Sequence, residues 1–202
     1  MADQHQSRAK LVDAALTVVR SKGYSATRVD DICGAAGLTK GSFFHHFDSK
    51  DDLALAAAEL WRHRARSLFT AMENNATDDP LDRLFAYLAL RKSLMTGDLA
   101  QWTCFAGTMI QETYTTHPHL RDACEKGMAE HSASLTRMIA EAMGRYGVKS
   151  DWTAQSLALH IQGVIQGAFI MAKAKGQAKV ATDSIDHLRR YLELLFQRSG
   201  HQ

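Results

Sequence analysis

Leu11, Ala15 and Val18 recur along one row of a 3.6-residue period, and Val12, Leu16 and Val19 along the next, so residues 7 to 22 read as an amphipathic helix. Gly23 supplies its stop. Thr27, followed three residues later by Asp30, makes a short-armed capping box. Asp30 and Asp31 also suit the positive end of a helix dipole, so a short helix is predicted from about Arg28 to Ala36. The segment AAGLT, Ala35 to Thr39, leaves no room for a wandering loop, and its glycine can take the left-handed conformation that turns the chain sharply. A second short helix follows, capped by Thr39, carrying Lys40 through His46 and ending near Phe47 and Asp48. Two short helices joined by a tight glycine turn form a helix-turn-helix. Val29, Ile32 and Ala36 make its inward row, Leu38 closes the turn, Phe43 and Phe47 face inward, and the small Cys33 fits where the helices cross. The outward face keeps Thr39, Lys40, Ser42, Phe44, His45 and His46.

Ser49 with Asp52 repeats the capping pattern and starts a long helix that runs to Asn74 or Asn75, without a flexible Gly/Ser linker. After TDDP, residues 81 to 96 repeat the amphipathic pattern, and residues 99 to 114 read as helical too. A break at His117 and Pro118 precedes a long helix that ends at Tyr146 before Gly147. From Trp152 to about Lys175 the apolar positions go nearly all round, with Gly163 and Gly167 four apart, so this helix is buried on more than one face. A last helix, capped by Thr182 or Ser184, carries Ile185, Leu188, Leu192 and Leu195. These two helices, about 152–198, are the natural homodimer interface.

Two prolines in 202 residues, 46% hydrophobic content and no Asn-Gly or Asp-Gly hairpin signal place the chain in the all-α class. It divides into a three-helix helix-turn-helix headpiece over 1–50 and a helical ligand-binding and dimerisation body over 51–202. The formal charge of +2 is too small to argue for a polyanion by itself. Its distribution says more: residues 1 to 50 hold seven Lys or Arg against five Asp or Glu, and Leu38 to Phe47 contain a lysine and no acid. The opening MADQHQSRAK lacks an apolar signal segment and no later apolar run approaches the roughly 20 residues of a membrane span, so a cytoplasmic protein without membrane contact is expected. Three cysteines at unrelated spacings form no disulfide framework and fit a reducing compartment.

The stretch TRVDDICGAAGLTKGSFFHHFDSKDDL resembles the DNA-binding headpiece of the TetR family of one-component bacterial transcriptional regulators, over about Ser7 to Trp61. Turn, caps, inward row and the His-Phe-x-Ser-Lys ending coincide on one continuous segment. Two departures stand out: Cys33 replaces a usual alanine, and Phe44 replaces a usual tyrosine and so lacks the hydroxyl that the family often sets on a phosphate. The resemblance implies that Thr39, Lys40, Ser42 and His45 meet bases or nearby phosphates, and that Thr27, Arg28, His46 and Lys50 hold the DNA backbone. Either histidine can instead pack or cap the helix, His46 above all. One headpiece reads few base pairs, so a two-fold dimer is expected on a palindromic double-stranded operator, with half-sites about 34 Å or a multiple apart.

In the body, Trp102, Cys104, Phe105, Met109, Glu112, Met138, His160, Gln166 and Phe169 supply the aromatic, soft and polar mix that lines small-molecule sites, although any one of them also reads as ordinary core. The expected effector is a small molecule of unassigned class. The run WTCFAGTMIQETYTTHPHLRDAC resembles a subgroup of the same family in which a cysteine at this helix start senses electrophiles or oxidants, with a buried inert Cys104 as the alternative. Three function classes remain. The first is a ligand-responsive repressor released by its effector. The second is a metal- or thiol-dependent sensing protein built on Cys104, His117, His119 and Cys124, whose spacing matches no usual zinc finger. The third is a helical interaction protein that does not bind DNA. No Gly-rich phosphate loop or nucleophile elbow is present, so neither catalysis nor a cofactor is expected.

Overall fold

The computed structural model describes residues 2–74 and 77–197; among these the chain forms ten helices and no strand. They are α1 (Ala2–Lys22), α2 (Val29–Ala36), α3 (Lys40–His46), α4 (Lys50–Asn74), α5 (Pro80–Ser93), α6 (Leu99–Trp102), α7 (Phe105–Thr113), α8 (Pro118–Tyr146), α9 (Ala154–Lys175) and α10 (Lys179–Leu195). Asn75 and Arg198, at the ends of two expected spans, lie outside the described residues.

The chain forms two compact units that do not follow its order: Met1–Ala65 with Thr103–Met128, and Arg66–Trp102 with Ala129–Gln202. The first unit therefore holds more than the expected headpiece of residues 1–50, because α7 and the start of α8 pack into the same core. Leu11 and Phe43 are fully buried there, together with Ile32, Leu53, Ala57, Phe105 and Met109. The apolar row of α1 is thus closed by α2 and α3 on one side and by α7 on another. Burial at this level contributes about 1.5–3 kcal/mol for each large side chain.

In the second unit α9 packs along α10, and α10 also packs on α5. Leu81, Leu84 and Leu88 of α5, Leu135 and Ile139 of α8, Ile161 of α9 and Leu192 of α10 are all buried in this unit. Asp79 caps α5, accepting from the Leu81 and Asp82 N–H groups at 2.8 and 3.3 Å, with Pro80 at the first helical position. Thr153 and Ser156 form a reciprocal capping box at the start of α9.

Three expectations are corrected. Residues 99 to 114 are two helices, α6 and α7, interrupted at Thr103 and Cys104, because Trp102 and Phe105 on either side of the break are both buried. The last helix begins at Lys179 behind Ala178, which makes no side-chain cap, so neither Thr182 nor Ser184 caps it; their hydroxyls donate to Lys179 O and Val180 O. Finally, α9 is long and apolar enough, by length and composition, to cross a membrane, contrary to the expectation that no such run exists. Its Leu157, Ile161, Ile165, Ala168 and Phe169 are buried and the helix packs along α10, so core packing accounts for part of that composition, while Leu159, Ile170 and Met171 stay exposed.

Candidate nucleic-acid interface

The turn between α2 and α3 is built as its residues dictate. Gly37 sits at φ 64°, in the left-handed region, and the Leu38 N–H donates to Cys33 O at 2.9 Å, closing α2. Thr39 follows in extended conformation, its hydroxyl accepting from the Ser42 N–H at 3.2 Å. Phe43, fully buried, anchors α3 from below, with the Phe47 ring 5.9 Å from it and Arg8 lying 5.1 Å over Phe47. A seven-residue helix has too few internal hydrogen bonds to hold itself. The buried phenylalanines and the cap fix its orientation.

Anchoring one side of α3 leaves the other side open. Thr39, Lys40, Gly41, Phe44 and His45 are exposed, while Ser42 and His46 are half-buried. Phe44 stands 56% exposed, so an apolar ring occupies the middle of a polar face. The His45 and His46 rings lie 4.9 Å apart, and partial burial, followed by the charges of His45 and Arg8, holds the His46 imidazole below its ordinary range. Lys40 Nζ lies 2.9 Å from Asp30 Oδ1. Such an exposed pair contributes at most about 1 kcal/mol, so the ammonium is readily transferred to a phosphate. Sequence spacing alone does not reveal this pairing, because the two residues sit on different helices.

Arg28 is exposed at the start of α2, and its backbone N–H donates to Asp31 Oδ2 at 2.7 Å. Thr27 and Lys50 are placed differently from the expectation of a role on the DNA backbone. Thr27 is 2% exposed and its hydroxyl donates to Gly23 O, so the apparent cap of α2 in fact fastens the end of α1. Lys50 Nζ donates to Tyr24 O at 3.0 Å and to Thr27 O at 3.1 Å, and sits 4.1 Å over the Tyr24 ring. Both residues brace the α1–α2 turn in this conformation. The same turn is held by the Tyr24 hydroxyl, which donates to Asp51, and by the Ser25 N–H, which donates to Glu112 at 2.8 Å. Asp51 also faces His119 Nε2 at 3.1 Å. Burial alone would raise the Asp51 carboxyl, but the Tyr24 hydrogen bond, His117 and His119 outweigh it and hold it below the ordinary carboxylate range.

The nine residues expected to line one small-molecule site fall into two groups. Cys104, Phe105, Met109 and Glu112 belong to the first unit, where Phe105 and Met109 are fully buried core and the Glu112 carboxylate is engaged by Ser25. Cys104 is half-buried and caps α7, its Sγ accepting from the Gly107 N–H at 3.3 Å. Trp102, Met138, His160, Gln166 and Phe169 belong to the second unit. The Trp102 and Phe169 rings meet at 5.6 Å, whereas His160 is exposed, 5.3 Å from Tyr191. Among the described residues no three His, Cys, Asp or Glu side chains are gathered so as to hold a metal ion.

Comparison with known proteins divides the chain in sequence order instead, with residues 103–128 inside the second matched segment. A family model for bacterial regulatory proteins of the tetR family matches residues 11–57, and a model for tetracyclin repressor-like C-terminal domains matches residues 80–188. The transcriptional regulator AcuR of Cereibacter sphaeroides is 29% identical over 170 residues, 84% of this chain and 76% of that protein. The regulator CymR of Pseudomonas putida is 39% identical over 84 residues, a match that covers 38% of this chain and only 41% of that protein. A TetR transcriptional regulator from Chloroflexus aurantiacus has a solved structure that superposes with a TM-score of 0.82 at 26% identity, covering 95% of this chain and 96% of its own. A TetR-family regulator from Agrobacterium tumefaciens shares the fold at a TM-score of 0.84 and 21% identity, over 93% and 98% of the two chains. Matched in its headpiece and again in its body, the chain belongs to the TetR family of DNA-binding bacterial transcriptional regulators.

Proposed function

We propose that the protein is a ligand-responsive repressor that binds a palindromic operator as a homodimer and is released by a small-molecule effector. The observation that carries this reading is the one-sided construction of α3, with Phe43 fully buried beneath it and Thr39, Lys40 and His45 exposed above. A helix of this kind presents hydrogen-bonding and cationic groups to base edges and phosphates in a major groove. Thr39, Lys40, Ser42 and His45 are its reading face, and Arg28 and His46 flank it. Thr27 and Lys50 act indirectly, by fixing the turn that orients α2.

Two features support the remainder. Leu159, Ile170 and Met171 on α9, and Tyr191 and Leu194 on α10, are large apolar side chains with 41–77% exposure on the helices expected to dimerise, and a second copy covers them. Helix α4 starts beside the α1–α2 turn with Lys50 and Asp51 and continues without a break to Asn74, so a change along it reaches the headpiece. An effector needs only to bind one arrangement of that helix better than the other.

Fluorescence anisotropy on the DNA upstream of the protein's own gene, against a scrambled duplex, tests the reading. Selective binding that weakens steeply with salt is expected, and Lys40→Ala lowers the affinity and reduces the logarithmic salt slope by about one for each phosphate that a headpiece no longer neutralises. Equal binding to both duplexes, unaffected by Lys40→Ala, would remove the operator-reading role.

A further inference from the structure

The second unit contains a cluster in which Trp102 and Phe169, both expected at a small-molecule site, meet four side chains that the sequence did not suggest. Arg91 on α5 places its guanidinium 5.4 Å from the Phe169 ring centre and 5.9 Å from that of Phe69. Trp102 meets the same Phe169 ring edge-on at 5.6 Å. On the far side, His131 stacks on Phe69 at 4.4 Å and its Nε2 lies 2.9 Å from the Tyr87 hydroxyl. Helices α4, α5, α6, α8 and α9 thus each give one or two side chains to a single aromatic and cationic group.

Its polar groups are unevenly satisfied. Among the described residues, Arg91 makes neither an ion pair nor a hydrogen bond, although the neighbouring Lys92 is paired with Asp186 at 2.7 Å. The Trp102 indole N–H is also without an acceptor, in a side chain only 8% exposed. Buried or half-buried donors of this strength are ordinarily paired. The histidine adds no charge, since burial and then the nearby Arg91 push its imidazole down to about 3. The cluster therefore sets one cation and one neutral donor among aromatic rings, and none of its six side chains is a carboxylate.

We propose that this cluster is the effector site, and that its effector is a small monocarboxylate with an apolar body. The carboxylate accepts from Arg91 and from the Trp102 N–H, and the body packs on Phe69 and Phe169. A single guanidinium matches a single negative charge, and its planar fork suits a carboxylate. The assignment rests on the reading of the protein as effector-responsive and names the chemistry of that effector.

The test is calorimetric titration of the full-length protein with benzoate and hexanoate, beside the neutral benzamide and hexanamide. At least one acid should bind about tenfold or more tighter than its amide, a difference that Arg91→Gln abolishes and Arg91→Lys largely keeps; Trp102→Phe, which removes the N–H and keeps an aromatic ring, weakens the acid several-fold. Thermal melts of each variant check folding, and the acid-to-amide comparison on the wild type needs no variant. Acids and amides binding alike, Arg91→Gln binding the acid as the wild type does, or neither acid binding would each overturn the proposal. Operator binding is measured on the same wild-type preparation. Intact operator binding without carboxylate binding removes the effector assignment alone, whereas absent operator binding removes the regulator reading.

Discussion

At the scale of single residues, His131 gives the clearest consequence. An unfolded histidine takes up a proton as the pH falls through about 6.5. In the folded chain the same imidazole stays neutral down to about 3, because it is buried and faces Arg91. A depressed folded value means that the stability tied to the neutral ring is complete above pH 6.5 and is lost progressively as the pH falls towards 3, by up to a few kcal/mol. Most carboxylates titrate below about pH 5, so the interval from 6.5 to 5 belongs to the histidines, and comparison with a variant that lacks only His131 singles out this one. Thermal melts across that interval should fall more steeply for the wild type than for His131→Phe, which keeps the ring on Phe69; parallel curves would mean that His131 is free to protonate. Residue types exposed some of this chemistry and hid the rest. Lys40 and His45 were legible because a short helix with a buried phenylalanine has few outward positions. Arg91 was not, since a lone arginine on an amphipathic helix reads as solvated, and only the fold places Phe69 and Phe169 beneath it.

At the scale of helices, what was legible followed local chemistry. The α2–α3 turn depends on Gly37 and Thr39, whose roles are settled within a few residues. The break between α6 and α7 depends instead on burying Trp102 and Phe105 at once, and on a cysteine acting as cap, which sequence preferences rank low. Thr27 misled for the complementary reason: a threonine before a helix reads as its cap, yet this hydroxyl is turned back to Gly23 O. Asp79 shows the rule at full strength, because its carboxylate holds two N–H groups and accepts from the Tyr146 hydroxyl at 2.7 Å. Asp79→Ala should cost about 1–2 kcal/mol in chemical denaturation, and Asp79→Asn less. A loss within error for Asp79→Ala would mean that Pro80 alone starts α5.

At the scale of the molecule, α4 and α8 each give residues to both compact units, which is why a boundary drawn at residue 50 does not describe the packing. Sequence reading placed the division where the motif ended; the structure adds α7 to the first unit because Phe105 and Met109 complete its core. The exposed apolar side chains of α9 and α10 carry the dimer proposal. Leu194, 77% exposed, is its most accessible member. Leu194→Lys together with Leu159→Lys should shift sedimentation from dimer to monomer and leave the helical signal unchanged. An unaltered dimer would place the interface elsewhere.

The measurement that tests the central claim most directly is hydroxyl-radical footprinting of the wild type on its own upstream DNA. A dimer presenting two copies of α3 should protect two symmetric patches about 34 Å, or a multiple of it, apart on one face of the duplex, and the protection should fade with salt. A single patch, or uniform protection without sequence preference, would contradict the account of a dimeric operator-reading repressor.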